Sequence, residues 1–350
     1  MTSSQKKIGI VVIVAIICAA AFYFLYWIKT PTYSLGLVQE AVQKHDIEMF
    51  EKHVDLDTLY TKGFDDAIVA VNKIQGGTVL SNPLAAGFIQ VLKPTVVSAL
   101  KDKTIVAVKG EAEGDQDKPK QQESDADNFA KRLKAMSGIS NSAFNNASVI
   151  SKEGNEAIVS IKLHNQKVDK EFELKVKMAK LDDGTWKVKE ITNLVDFLVS
   201  ADKAEKDKIE ELNKPIREKL QSMIEVSNTT FNLGTDGNPY FPSYQLNCST
   251  TLKNISSQDI SGYTVRYCIT GQNGYIYKDV VQYGQKPLSQ NDEITMHKSI
   301  KLNEFIDADN KIIKHPGEYK ITAEIAHTRL ADGTTTTLLN GLPDSKEKMK

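Results

Sequence analysis

Six histidines, three cysteines and one acidic run are the residues in this chain with chemistry to offer. The histidines are His45, His53, His164, His297, His315 and His327. Zinc needs converging ligands, and neither a His-Glu-x-x-His nor a Cys-x-x-Cys spacing occurs. His45 and His53 fall on one predicted helix, where their separation sets them about 12 Å apart along the axis. One metal cannot reach both without a bend. Asp46, Asp55 and Asp57 stand beside them, so a metal or acid–base site is the sharper reading there. Helix caps and solvated side chains are the plainer one. Between residues 110 and 128, Glu111, Glu113, Asp115, Asp117, Glu123, Asp125 and Asp127 supply oxygen ligands of the kind calcium takes. The run lacks the central glycine and twelfth-position glutamate of a calcium loop and reads as a solvated loop. No nucleophile elbow, phosphate loop or dinucleotide fingerprint appears. Asn146, Asn228, Asn247 and Asn254 begin glycosylation-type triplets, which short chance matches explain. No catalytic, cofactor-binding or metal-ligating residue is therefore assigned, and no cofactor is expected.

The elements that would have to position any site begin with a membrane segment. Residues 8–28, from Ile8 to Ile28, carry no charge and as a helix would span about 31 Å, close to the hydrocarbon thickness of a bilayer. Lys6 and Lys7 precede the run and Lys29 follows it. Phe22, Tyr23, Phe24, Tyr26 and Trp27 crowd its far end, where rings favour the headgroup region. A cleaved signal peptide has a shorter apolar core and turns polar after its small-residue site, whereas this run continues through Leu25, Trp27 and Ile28. A lipidated Cys18 is disfavoured by the bulky Ile17 before it. The lipid bilayer is thus the first expected partner. The basic residues place residues 1–7 in the cytoplasm and everything after Thr30 outside. A second apolar stretch, residues 83–100, holds Lys93 and Pro94 near its middle and reads as a buried or amphipathic helix pair, leaving a single-pass chain.

Composition bounds the remainder. At 41% hydrophobic and 25% charged residues, the chain of 350 residues has enough apolar material for folded cores, and its length fits about two domains. A net charge of −1 gives no general pull on nucleic acid, so none is expected as a partner. Three cysteines are too few for a disulfide scaffold.

Residues 33–52 show helical spacing in Leu37, Val38, Ala41, Val42, Ile47 and Phe50. Asp55 is placed to cap a short helix through Leu59 and Tyr60. Gly76-Gly77 and Asn82-Pro83 bound further helices over residues 64–74 and from Leu84. After loop 110–128 and a short helix over 129–136, the period becomes two. Ala157, Val159, Ile161 and Leu163 alternate with Ile158, Ser160 and Lys162, and Phe172, Leu174, Val176 and Met178 alternate with Glu173, Lys175 and Lys177. Asp183-Gly184 turns the chain into Trp186, Val188 and Ile191. Residues 31–200 therefore form an α+β domain with helices packed on an antiparallel sheet.

The segment Ala41-Val42-Gln43-Lys44-His45-Asp46, with Phe50 and His53-Val54-Asp55-Leu56-Asp57, resembles the opening of a family of bacterial single-pass, membrane-anchored envelope proteins of unknown function. The closing strand Asp183-Gly184-Thr185-Trp186-Lys187-Val188 is similar as well, and the resemblance covers roughly residues 25 to 195. The later half also looks like a cystatin-like or nuclear-transport-factor-like roll. The resemblance implies an envelope location and no established activity, and it carries over no catalytic residue.

Residues 201–225 read as a helical connector with a stripe of Ile209, Leu212, Ile216 and Leu220, which Pro215 should kink or divide. The stripe is too short for a coiled coil and packs on a neighbouring domain. From 226 to 340 the runs 244–253, 263–270, 275–281, 293–302 and 319–328 are strands. The segments between them, including 307–317, are turns. Leu252-Lys253-Asn254 followed by Tyr263-Thr264-Val265-Arg266-Tyr267 and Gly274 looks like small immunoglobulin-like envelope sandwiches. Residues 341–350 are a polar tail. Strand phase points Cys248 inward with Leu246 and Leu252, and Cys268 outward with Thr264 and Arg266, so the two should be unbonded. The functional expectation is a membrane-tethered envelope protein that binds a partner protein, a wall component or a small ligand without catalysis. The alternative is a hydrolase or other enzyme with a pocket in the α+β roll.

Overall fold

The computed structural model describes residues 26–77, 79–81, 83–111, 142–238, 241–272 and 274–343. Residues 1–7, nearly all of the 8–28 segment with Cys18, most of loop 110–128, the 129–136 helix and most of the 341–350 tail lie outside them. The chain divides into two compact units, one of residues 1–74 and 87–202, the other of residues 75–86 and 203–350. It combines helices with antiparallel sheets, as the α+β expectation requires.

In the first unit a short 3-10 turn, Trp27–Lys29, leads through Thr30 into α1 (Pro31–Lys44). Thr30 caps α1 by accepting from the Tyr33 amide at 3.2 Å, and Pro31 supplies the preset first-turn backbone. The single helix expected over residues 33–52 is in fact two. His45 adopts a left-handed φ of 58° and stops α1, and Asp46 caps α2 (Ile47–His53) through the Met49 amide at 2.9 Å. A side chain that hydrogen-bonds its own backbone outcompeted helix continuation here. Asp55 does cap the next helix, but α3 (Leu56–Ile74) runs much further than the short helix expected and absorbs the one expected from residue 64. The strained turn after it uses Gly76 and Gly77 at φ 68° and 84°.

The helix pair expected over 83–100 is one continuous helix, α4 (Pro83–Val108), with Pro94 inside it. An internal proline costs about 3 kcal/mol. Packing offsets it: Val96, Val97 and Leu100 lie against Phe64 and Ile68 of α3, and Lys93 pairs with Asp65 at 2.7 Å. Among the described residues α4 is the helix long and apolar enough to cross a bilayer by length and composition. Its opposite face leaves Leu84, Phe88 and Val91 exposed.

Four strands, β1 (Ser142–Glu153), β2 (Glu156–Asn165), β3 (Lys170–Lys180) and β4 (Trp186–Ile191), form an antiparallel sheet in sequence order. Ala157, Val159, Leu163, Phe172, Leu174, Val176, Met178, Trp186 and Val188 are buried in the predicted phase. The sheet's apolar face is filled by Ala41, Phe50, Val54 and Leu56 from the helices. Strand β1 was not foreseen, because its Asn- and Ser-rich stretch lacks a repeating apolar phase.

Helix α5 (Leu194–Gln221) carries the chain from the first unit into the second. It starts earlier than the expected connector and is not divided by Pro215. The second unit holds β5 (Ile224–Asn238), β6 (Phe241–Asn254), β7 (Ile260–Gly271), β8 (Ile276–Tyr283), β9 (Glu293–Leu302), β10 (Tyr319–Leu330) and β11 (Thr335–Thr337). Two antiparallel sheets, ordered β11-β10-β7-β8 and β5-β6-β9, share one core around Leu246, Leu252, Val265, Tyr267 and Ile269, which Leu220 of α5 enters. The 307–317 segment expected as a turn contains α6 (Asp307–Lys314). Its acidic first turn and basic last turn suit the helix dipole. The buried carboxylate of Asp309 fastens it by accepting from Lys278 at 2.9 Å and from the Asn303 amide at 2.8 Å.

Candidate functional site: a groove on the second unit

The residues with chemical potential in the first unit do not converge. His45 donates from Nδ1 to the Val108 carbonyl at 2.9 Å, joining α1 to the end of α4. His53 is buried and bonds the Trp186 carbonyl at 2.9 Å. The sequence reading put both on one helix; instead they close separate helices and serve as ties. Asp46 and Asp55 are caps, and Asp57 pairs with Lys101. Among the described residues no group of three or more His, Cys, Asp or Glu is arranged to hold a metal ion.

A broad concavity lies in the second unit. It is a groove of ≈ 1620 Å³ between α5 and the outward face of the β11-β10-β7-β8 sheet. Strand alternation builds the floor. Val265, Tyr267 and Ile269 turn into the core, so Arg266 and Cys268 turn toward the groove. Glu324 lies directly across from Arg266 on β10, and Asp279 directly across from Cys268 on β8.

These side chains form one connected set of ion pairs. Arg217 of α5 holds Glu210 bidentately at 2.7 and 3.0 Å and donates from Nε to Glu324 at 2.9 Å. Arg266 reaches Glu324 at 3.6 Å and grips Asp279 from Nε at 2.9 and 3.0 Å. The Asp279 hydrogen bonds outweigh burial and hold the Arg266 guanidinium firmly protonated. Glu210 does the same for Arg217. At the groove's end, Asn213 clamps Leu339 with two hydrogen bonds, at 2.9 and 2.7 Å. Tyr263 packs against Gly284, where any side chain would collide with the ring.

Cys268 is not set up as a nucleophile. Burial pushes the Cys268 thiol up from its ordinary value, the opposite of what a reactive thiolate needs. His327 sits opposite Thr264, four residues along β7 from Cys268, which puts it about 13 Å away. Its Nδ1 is engaged with the Thr337 hydroxyl at 2.6 Å. Cys248 and Cys268 are both free, in the predicted opposite phases, but Cys268 is buried beside Arg266 rather than exposed.

The rim is different. Ile276, Val281 and Tyr283 on β8 are exposed, and β8 is the outer strand of its sheet. None of the groove residues carried a motif, because they come together from α5, β7, β8 and β10. The one legible signal was the outward phase of Arg266 and Cys268.

No protein-family model matches the chain, and no curated protein matches it. Among solved structures, the X-ray structure of Northeast Structural Genomics Consortium target SoR45 is similar at 15% identity and a TM-score of 0.24. It covers 37% of this chain and 96% of that chain.

Proposed function

We propose that this is a non-enzymatic, membrane-tethered protein of the bacterial cell envelope, anchored through residues 8–28 with its two units exported. Its second unit, an immunoglobulin-like sandwich, receives a partner in the α5 groove. The first unit is the roll-like α+β domain expected from the sequence. The observation that carries the binding role is the groove itself: an open concavity with a floor of interlocked ion pairs, two arginines held by three carboxylates, and a rim of exposed Ile276, Val281 and Tyr283. A floor whose charges are already satisfied offers little to a free ion. Exposed apolar residues beside an outer strand with open backbone groups suit an extended polypeptide, which can add to the sheet edge. An envelope protein or a peptide-bearing wall component fits that description. Reporter fusions at Lys350 test the tether and its orientation: a reporter active only after export should work, and a cytoplasm-only reporter should fail. The opposite pattern would reject the exported arrangement.

A further inference from the structure

We infer that one end of the first unit rests directly on the bilayer, with no flexible linker, and that Trp186 is the latch that holds it there. The proposal rests on the reading of residues 8–28 as the anchor. That segment ends at Ile28, and the folded unit takes hold of the chain at the next residue. The Trp186 indole donates from Nε1 to the Lys29 carbonyl at 2.9 Å, and the Trp186 amide donates to the Ser34 hydroxyl at 2.9 Å. Thr30 ties itself back to the Trp27 carbonyl at 2.8 Å while capping α1. Trp186 is fully buried, so its ring position is set by the core. Gly184, at φ 85°, lets the β3–β4 turn lie against the Lys29 side chain.

Strand order then says which features share that end. The Lys180 amide donates to the Asn155 carbonyl, so the β1–β2 turn at 154–155 lies beside the β3–β4 turn at 181–185. Lys152 stands over the Trp186 ring at 5.4 Å, and Lys52 pairs with Asp183 at 2.6 Å. Tyr26 and Trp27 are exposed there, as rings at a headgroup layer are. The β2–β3 turn at 166–169 lies at the other end of strand β2, about 30 Å away, and α5 begins part of the way there, where β4 ends opposite Val176 and Asn193 bonds the Lys175 amide and the Glu173 carbonyl. The occupant of the near end is the phospholipid headgroup layer of the membrane that the chain itself spans. The sheet then acts as a spacer that sets the start of α5 a fixed height above it.

The test uses the full chain with Cys18→Ala, reconstituted in vesicles of phosphatidylethanolamine and phosphatidylglycerol that carry a headgroup-linked quencher lipid. A fluorophore is placed at Asn155→Cys, Asp182→Cys or Gln166→Cys, all exposed positions; Cys248 and Cys268 are buried. Quenching at 155 and 182 should be several-fold that at 166. A Gly-Ser insertion of about six residues between Ile28 and Lys29, reaching up to about 20 Å, should abolish that difference while the protein stays anchored. Trp186→Phe should weaken it in a protein that is still folded. Equal quenching at the three positions in carbonate-resistant protein, or a pattern unmoved by the insertion, would overturn the proposal. Release of the chain by carbonate would overturn the anchor and the proposal with it.

Discussion

Asp55 is the sharpest test of how the first unit is held together. Its carboxylate accepts from the Thr58 amide at 3.1 Å and hydroxyl at 3.0 Å and from Lys189 at 2.6 Å, while its own amide donates to the Val188 carbonyl. One residue thus caps α3 and fastens it to β4. Burial opposes ionisation, but Lys189 and the two Thr58 donors outweigh it and lower the pKa from 3.8 to about 2. That drop corresponds to about 2 kcal/mol at pH 7, trimmed toward 1 by solvent around the more exposed Lys189. The sign follows from the direction. A depressed folded-state pKa contributes stability that is complete above the unfolded value near 3.8 and drains away as pH falls toward 2. Asp55→Asn keeps a capping side chain and removes the charge, so it should cost about 1–2 kcal/mol at pH 7 and almost nothing at pH 2. Both tryptophans, Trp27 and Trp186, belong to the first unit, so tryptophan fluorescence during urea unfolding of the full chain in detergent reports this unit alone. A variant as stable as the parent at pH 7, or a gap that persists unchanged at pH 2, would refute the reasoning.

Three further outcomes are expected. Lys278→Met leaves the buried Asp309 carboxylate without its cation and should destabilise the second unit by about 3 kcal/mol, with the double variant Lys278→Met/Asp309→Leu recovering much of it; far-ultraviolet circular dichroism during unfolding would show this, and a neutral single variant would contradict it. Cys248, whose thiol burial pushes up to about 11, and Cys268 should both resist alkylation at pH 8 in the folded protein and both react once it is unfolded without reductant; a disulfide-linked peptide pair in the mass spectrum would contradict this. Tyr267 is fully buried and its hydroxyl has no hydrogen-bond partner among the described residues, so Tyr267→Phe should be neutral or stabilising by about 1 kcal/mol in thermal unfolding, and a clear loss would show that the hydroxyl is satisfied.

Much of the sheet structure was legible because its phase is strict. Residues 172–178 alternate cleanly, one face is buried, and a slip by one residue would expose it all. Strand β9 matches its expected bounds for the same reason. Helix boundaries were less legible where short-range polar chemistry overrode periodicity, as at His45 and Asp46. They were also obscured where tertiary packing overrode a local breaker, as at Pro94 and Pro215. Helix α6 was hidden because its stability comes from Asp309 meeting Lys278, a contact between residues 31 apart in sequence. The groove was the least legible feature of all. Its floor is assembled from Arg217, Arg266, Asp279 and Glu324, and nothing local marks those four as neighbours.

The claim that the second unit's groove receives a partner is tested most directly by site-specific photo-crosslinking in native membranes. A crosslinking residue would replace Tyr283 or Val281 on the rim, with Lys253 on the other sheet as the comparison. The account predicts one discrete adduct from both rim positions and none from Lys253. That adduct should disappear when the groove floor is reversed by Glu324→Arg in a protein whose core still unfolds cooperatively. Adducts of equal yield from all three positions, or rim adducts that survive the floor reversal, would contradict it.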